Sequence, residues 1–362
     1  MKKKYKFLLL IGMVFSMFLS TKMIFAGEED VAKEGFTIAR VDNPAQVNTR
    51  DTVDSYYLYE KPGTEGEAKI KIINNDARPK KIDLTITDAN TNRNGITDYS
   101  GTIPNYKLLK TPLTSLVDWK KKTIDLGPNE VRTVTVKFKM PKEKFKGIIA
   151  GAINAYEHQG TNNGKQGISM GAKYGYCLGL VLTNTNYQHI TEMSALELGD
   201  VGPKLDYGRK VIQADIVNPQ PYLFVSKKVW GSVKSLDDNK VILKNSMNNV
   251  RIAPYQMFPF QFDYGRQDMK PGSYLLVVDV KDKNRTWHFE RKFVIKADQA
   301  KKINEKSVFK VFIPKWLRYS LLILLIITTI ITIYLGFRKP KQLEEAQEQT
   351  TEEVETTSTD NK

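Results

Sequence analysis

The chain has 362 residues and a formal net charge of +15 at pH 7. Its single cysteine, Cys177, excludes an intramolecular disulfide. Its three histidines, His158, His189 and His288, stand at no metal-ligand spacing from one another.

From the N-terminus, Lys2, Lys3, Lys4 and Lys6 precede an apolar run from Phe7 to Leu19, and Ile24-Phe25-Ala26-Gly27 follows. This is the plan of a signal peptide over residues 1–26, cut between Ala26 and Gly27. An uncleaved anchor is the weaker reading, because the apolar core is about a dozen residues and a span needs roughly 20.

The body reads as strands. "EAKIKII" sets Ala68, Ile70 and Ile72 against Lys69 and Lys71, and "KIDLTIT" does the same with Ile82, Leu84 and Ile86. "VRTVTVKFKM" alternates Val134, Val136, Phe138 and Met140 with Thr135, Lys137 and Lys139. This period of two belongs to antiparallel sheets with one wet face. "GIIAGAINAYE" is a more uniformly apolar strand.

Between these strands lies "DANTNRNGITDY", residues 88–99. Oxygen side chains at alternate positions suit either a calcium loop or a tight turn. An EF-hand loop counted from Asp88 would need Gly and Glu where Arg93 and Tyr99 stand. Asn94-Gly95 is a strong turn pair, both residues tolerating positive φ, so the spacing favours a structural turn. The helix signal is "TPLTSLVDW", with Thr111 as cap, Pro112 in the first turn and Leu113, Leu116 and Val117 on one face.

"EHQGTNNGKQGISMGAK", 157–173, suits an interdomain linker or a long hairpin loop; the linker is favoured because a second series of strands follows. That series opens with "YCLGLVL", in which Cys177 reads as a small buried hydrophobe. It continues through "VIQADIV", "LFVSKKVWGSV", "KVILK", "FPFQFDY" and "SYLLVVDV" to "RTWHFERKFVIK", where Trp287, Phe289, Phe293 and Ile295 alternate inward. Strands at this density predict an all-β chain of two tandem Ig-like β-sandwiches, over 27–156 and 166–298.

"ADQAKKINEKSVFK" reads as a polar stalk, assigned to 299–315. Tyr319 to Phe337 carries no charge and is long enough for one transmembrane helix, placed at 316–337, with Trp316 and Tyr319 as interfacial anchors. The tail, 338–362, is acidic and without aromatics, the composition of a disordered segment. The expected result is a single-pass membrane protein with an extracellular body and a cytoplasmic tail. "FIPKWLRY" before the span is not an LPxTG-like sorting signal.

Most of the positive charge falls on the exported body. It favours an anionic wall or lipid surface, or only keeps the body soluble; nucleic acid is a poor partner outside a cell. The sequence contains no GxSxG, HExxH, P-loop or CxxC. An enzyme, a metal site and a cofactor are therefore not expected.

"SYYLYEKPGTEGEAKIKIINN", "TNRNGITDYSG" and "LGPNEVRTVTVKFKMPKEKFKGIIAGAI" resemble the WxL-interacting proteins of Gram-positive bacteria. "LELGDVGP", "VIQADIVNPQP" and "RIAPYQMFPFQF" are similar to that family's second domain. The resemblance implies a peptidoglycan-binding first domain and a second domain that binds host proteins, at work beside WxL proteins at the cell surface. None of Trp119, Trp230, Trp287 or Trp316 has Leu two places on, so the chain resembles the partner of WxL proteins and not a WxL protein itself. Under this resemblance Tyr56, Tyr57 and Tyr59 are the aromatic candidates for glycan contact. At least one face of such a strand is ordinarily core.

Overall fold

The computed structural model describes residues 35–47, 55–158, 175–185, 189–309, 316–317 and 319–335. The signal peptide with its Ala26–Gly27 cleavage site, most of the 157–173 loop and the tail lie outside the described residues.

The alternating segments form the first sandwich. One sheet has the order β1 (Phe36–Arg40), β3 (Glu65–Asn74), β8 (Val131–Lys139). The other has the order β2 (Tyr56–Tyr59), β10 (Gly175–Thr183), β9 (Ile149–Glu157), β4 (Lys80–Asp88), β7 (Lys121–Leu126). The even faces of β3 and β8 meet in register, Ala68 opposite Val136 and Ile70 opposite Val134. They share a core with Ile82, Leu84, Ile153 and Leu180 of the other sheet. Ile70 and Ile72 are fully buried, each stabilising the fold by roughly 1.5–3 kcal/mol over an exposed position.

Strand β10 belongs to the five-stranded sheet of the first sandwich. It pairs antiparallel with β9, Gly175 opposite Tyr156, and parallel with β2, Leu180 opposite Tyr56. The Gly- and Asn-rich segment thus joins two neighbouring strands of one sheet, as the hairpin alternative required, while lying between the two expected domains. Composition could not separate the two, because both need only a polar, flexible stretch. Cys177, expected in the core, is exposed, since the first residues of β10 run past the covered part of the sheet. The expected helix over "TPLTSLVDW" shrinks to a single 3₁₀ turn, Leu113–Ser115. Pro112 precedes it in extended conformation, and no side chain caps it. Leu113 is buried and Leu116, Val117 and Trp119 pack on the core, so tertiary contact sets the path.

The second series gives a three-stranded sheet, β11 (Glu197–Asp206), β12 (Arg209–Val217), β17 (Met257–Asp263). A four-stranded sheet follows, β15 (Val241–Asn248), β14 (Lys228–Ser235), β18 (Gly272–Lys281), β19 (Thr286–Ile295). A short pair joins β13 (Phe224–Val225) to β16 (Arg251–Ile252). Phe258, Phe260 and Phe262 are fully buried, and a Cβ on Gly231 would meet the Phe262 ring at 3.1 Å. That Cβ would also lie 2.5 Å from Val277 O of the neighbouring β18, so the glycine admits both the adjacent backbone and the aromatic.

The chain divides into two compact units. The larger holds the first sandwich together with 213–262 and 273–293. The smaller gathers 203–212, 263–272 and the residues from 294 onward. In the smaller unit the expected stalk is instead a helix, α1 (Ala297–Lys306). Ala300 and Ile303, three apart, share its buried face. The Asn304 amide accepts from Met269 N–H at 2.8 Å and donates to Met269 O at 2.9 Å. Ser307 Oγ then donates to Gly208 O at 2.9 Å. The polar composition hid this helix because so few apolar residues fix it.

A helix α2 covers residues 319–335, its side chains exposed. Among the described residues no helix is long and apolar enough to cross a membrane; residues 318, 336 and 337 of the expected span lie outside them.

The "DANTNRNGITDY" stretch is a small hairpin, β5 (Asn90–Thr91) with β6 (Thr97–Asp98). Gly95 N–H donates to Asn92 O at 3.0 Å, and the Asn92 carboxamide oxygen accepts from Asn94 and Ile96 N–H. In this turn only Gly95, at φ 68°, is left-handed; Asn94 is not, against expectation, because the Asn92 side chain already closes the turn. A Cβ on Gly95 would lie 2.8 Å from a Val250 methyl. Gly95→Ala is therefore expected to cost about 1–3 kcal/mol through backbone strain and overpacking, read as a lower Tm in thermal unfolding of the full chain. An unchanged Tm would refute the close packing.

Candidate functional site

The predicted aromatic contacts come first. Tyr56 and Tyr57 are both fully buried. Their side chains enter different apolar clusters, Tyr56 the main sandwich core and Tyr57 a smaller cluster with Ile148, Val181 and Ile190. Strand β2 is thus covered on both faces, and neither ring offers a face to a sugar. The Tyr56 hydroxyl stands 2.6 Å from Val41 O and 2.5 Å from Lys69 O, and accepts from Val41 N–H at 3.1 Å. Burial raises its pKa above the ordinary tyrosine value. Tyr59 alone of the three is partly exposed. Trp316 and Tyr319, the expected membrane-interface residues, are 68% and 65% exposed.

The 88–99 oxygens do not converge. Asp88 accepts from Thr114 N–H at 2.9 Å, Thr114 Oγ1 at 2.9 Å and Asn105 Nδ2 at 2.8 Å. Asn90 donates to Ile103 O and Pro104 O, and Asp98 accepts from Ser100. These bonds fold residues 99–114 over one face of the five-stranded sheet, where buried Asn154 donates to Tyr99 O at 3.0 Å. The hairpin tip reaches the 250–256 turn: Arg251 N–H donates to Gly95 O at 2.8 Å and Ala253 N–H to Thr91 Oγ1 at 2.9 Å. Tyr106 N–H donates to the buried Gln256 side-chain oxygen at 2.9 Å. The polar loop therefore fastens the first sandwich to a turn of the second series, inside the larger unit.

Two clefts result. One, about 390 Å³, lies at β3 and is lined by Asp42, Glu60, Glu65 and Glu67 with Lys69 and Lys137. Part of its charge is internally spent, Lys69 pairing with Glu67 at 2.6 Å. The other, about 320 Å³, lies where the 99–114 loop, residues 141–149, Pro221 and Tyr255 meet. Its floor is aliphatic and its rim is rich in lysine. Its residues were not foreseen, since they are brought together from distant parts of the chain. The one local trace is the dense lysine spacing of "PKEKFK".

On the outer face of the four-stranded sheet, Trp230 stands opposite Asp279 and Ser246. His288 Nδ1 lies 2.7 Å from Asp279 and its Nε2 3.3 Å from Glu290. The hydrogen bond to Asp279, then that to Glu290, raises the histidine pKa above 6.5.

Two family models match the chain in succession: "WxL Interacting Protein, peptidoglycan binding domain" over residues 36–157, and "WxL Interacting Protein, host binding domain" over residues 165–305. The chain belongs to the WxL-interacting protein family. The boundary between the family's two domains falls in the loop that joins β9 to β10, so the strand that completes the first sandwich lies in the second match. No curated protein matches the chain. Among solved structures, the Salmonella enterica SafA pilin in complex with the SafB chaperone is similar at 10% identity, covering 71% of this chain and 96% of that one, with a TM-score of 0.28. The E. coli chaperone DraB is similar at 11% identity, with 73% and 98% coverage and a TM-score of 0.26. No conclusion rests on likenesses of this size.

Two outcomes follow from the side chains above. Tyr56→Phe removes the hydroxyl beside Val41 O, while Val41 N–H still donates to Lys69 O at 3.1 Å, and should cost about 0.5–1.5 kcal/mol in denaturant unfolding with any ligand binding unchanged. Loss of binding at full stability would instead place the ring at a ligand. For His288, the folded pKa lies above the unfolded value near 6.5. Its stabilising effect is therefore complete below that value and fades as pH rises through the folded pKa. Histidine NMR titration should show the raised pKa, and Asp279→Asn should lower it. An unshifted His288 would remove the pairing.

Proposed function

We propose that the chain is a membrane-anchored surface scaffold without catalytic activity, metal or cofactor. Residues 1–26 export it and 316–337 hold it in the membrane, with the body outside and the tail in the cytoplasm. The first domain binds peptidoglycan; the second binds WxL proteins, host proteins or both. The observation that carries this reading is the succession of the two family models in one chain, one domain named for the wall and the next for a host. The excess of lysine and arginine fits it, because an anionic wall attracts a basic body over about a Debye length.

A second reading is a protein-binding subunit of a surface complex that has no glycan affinity. The burial of Tyr56 and Tyr57 favours it, since it removes the stacking platform expected in the first domain. Sedimentation of the purified full-length protein in detergent with isolated cell walls, at physiological salt, separates the two. The scaffold reading expects the protein in the wall pellet. A protein left in the supernatant would overturn wall binding. In cells, wall association that disappears on deletion of a WxL partner would favour the second reading.

A further inference from the structure

The lysine-rimmed cleft has a specific chemistry. Ile148 and Ile149 line it from two sides, Ile148 from the small Tyr57 cluster and Ile149 from the sandwich core, and Leu108, Leu109 and Phe145 are half-buried around it. Lys110, Lys144 and Lys146 stand exposed at the rim against one carboxylate, Glu143. Among the described residues, the ion pairs of the first sandwich lie elsewhere, on Lys69, Arg78, Lys80, Lys81, Arg132, Lys139 and His158. The rim is thus cationic and the lining apolar.

The cleft is also held open in advance. Ile148 N–H donates to Pro221 O at 2.8 Å. A Cβ on Gly147, at φ 81°, would meet Pro221 O at 2.2 Å, so only glycine allows this approach. Tyr255 sits at φ 57°, a left-handed conformation unusual for an aromatic residue, fixed by its N–H to Gln220 O at 3.1 Å. Strain of this kind at a cleft wall marks a residue kept for its position.

The lining selects among ligands. Sugar hydroxyls need acceptors as well as donors, and ammonium groups only donate. One tyrosine and one phenylalanine among aliphatic residues make no sugar platform. A carboxylate beside small apolar groups fits both halves: charge-assisted bonds to the lysines and methyl groups on the apolar lining. A volume of about 320 Å³ admits a few small residues and not a polymer.

We propose that this cleft binds the carboxylate-ended stem peptide of peptidoglycan, with D-alanine methyls on its apolar lining and the carboxylate at Lys144 and Lys146. The proposal rests on the wall-binding reading and names the part of the wall that is held. The test uses full-length protein in detergent and three probes: acetyl-Lys-D-Ala-D-Ala, its C-terminal amide and acetyl-Lys-L-Ala-L-Ala. The acid should bind, with the amide and the L-isomer about tenfold weaker or worse. Lys144→Glu with Lys146→Glu, both exposed and safe for folding, should weaken the acid by about tenfold or more. Lys144→Gln with Lys146→Gln should weaken it less. Equal binding of acid and amide, or indifference to the charge reversal, overturns the proposal. Equal binding of the L-isomer also overturns it and indicates a protein C-terminus as the occupant. If wild type and reversed variant sediment equally with walls, the wall reading stands and the cleft falls. If the acid binds but wild type does not sediment, the cleft stands and wall retention falls.

Discussion

Backbone groups that cannot be left unpaired govern how the larger unit is joined. The 88–114 loop carries many N–H and C=O groups over a sheet face, where each needs a partner. Asp88, Asn90 and Asn154 satisfy some of them within the first sandwich, and the 250–256 turn takes others through Arg251 and Gln256. What resembles a loop of metal ligands is a set of hydrogen-bond acceptors committed to neighbouring chain. The junction and its cleft exist because this polar loop is spent on structure.

That commitment separates two kinds of surface. Around the junction, aliphatic side chains from both sequence halves meet under exposed lysines. At β3, a cleft of carboxylates is partly neutralised by its own lysine. A chain with a large positive excess thus presents locally opposite fields, and a wall or protein ligand meets different chemistry on each. The aromatic run that suggested a platform is consumed by the core.

The strands were legible because period two survives in the residues that face water. Lys69, Lys71, Thr135 and Lys137 mark one face as clearly as Ile70 and Val134 mark the other. Where both faces are covered, the pattern vanishes, and Tyr56-Tyr57-Leu58 could not announce that two separate clusters would claim it. The partner of β10 was equally unreadable, since pairing is decided by sequence far away. Helix α1 escaped because two apolar residues and one asparagine are enough to seat it. The turn at Gly95 was legible from local chemistry, yet its docking on Val250 was not. The candidate cleft was the least legible feature, assembled from four segments far apart in the chain.

The parallel pairing of Leu180 with Tyr56 has a consequence for the order of events during synthesis. A strand near the start of the body must wait, unpaired on that side, until residues 180–183 have been made. Closure of the first sandwich is therefore a late, high-contact-order event, slow relative to local hairpins. Until then β9 also presents an open edge, the template on which other unfinished chains can add. A nascent chain stopped before Thr183 therefore leaves the edge of β9 bare.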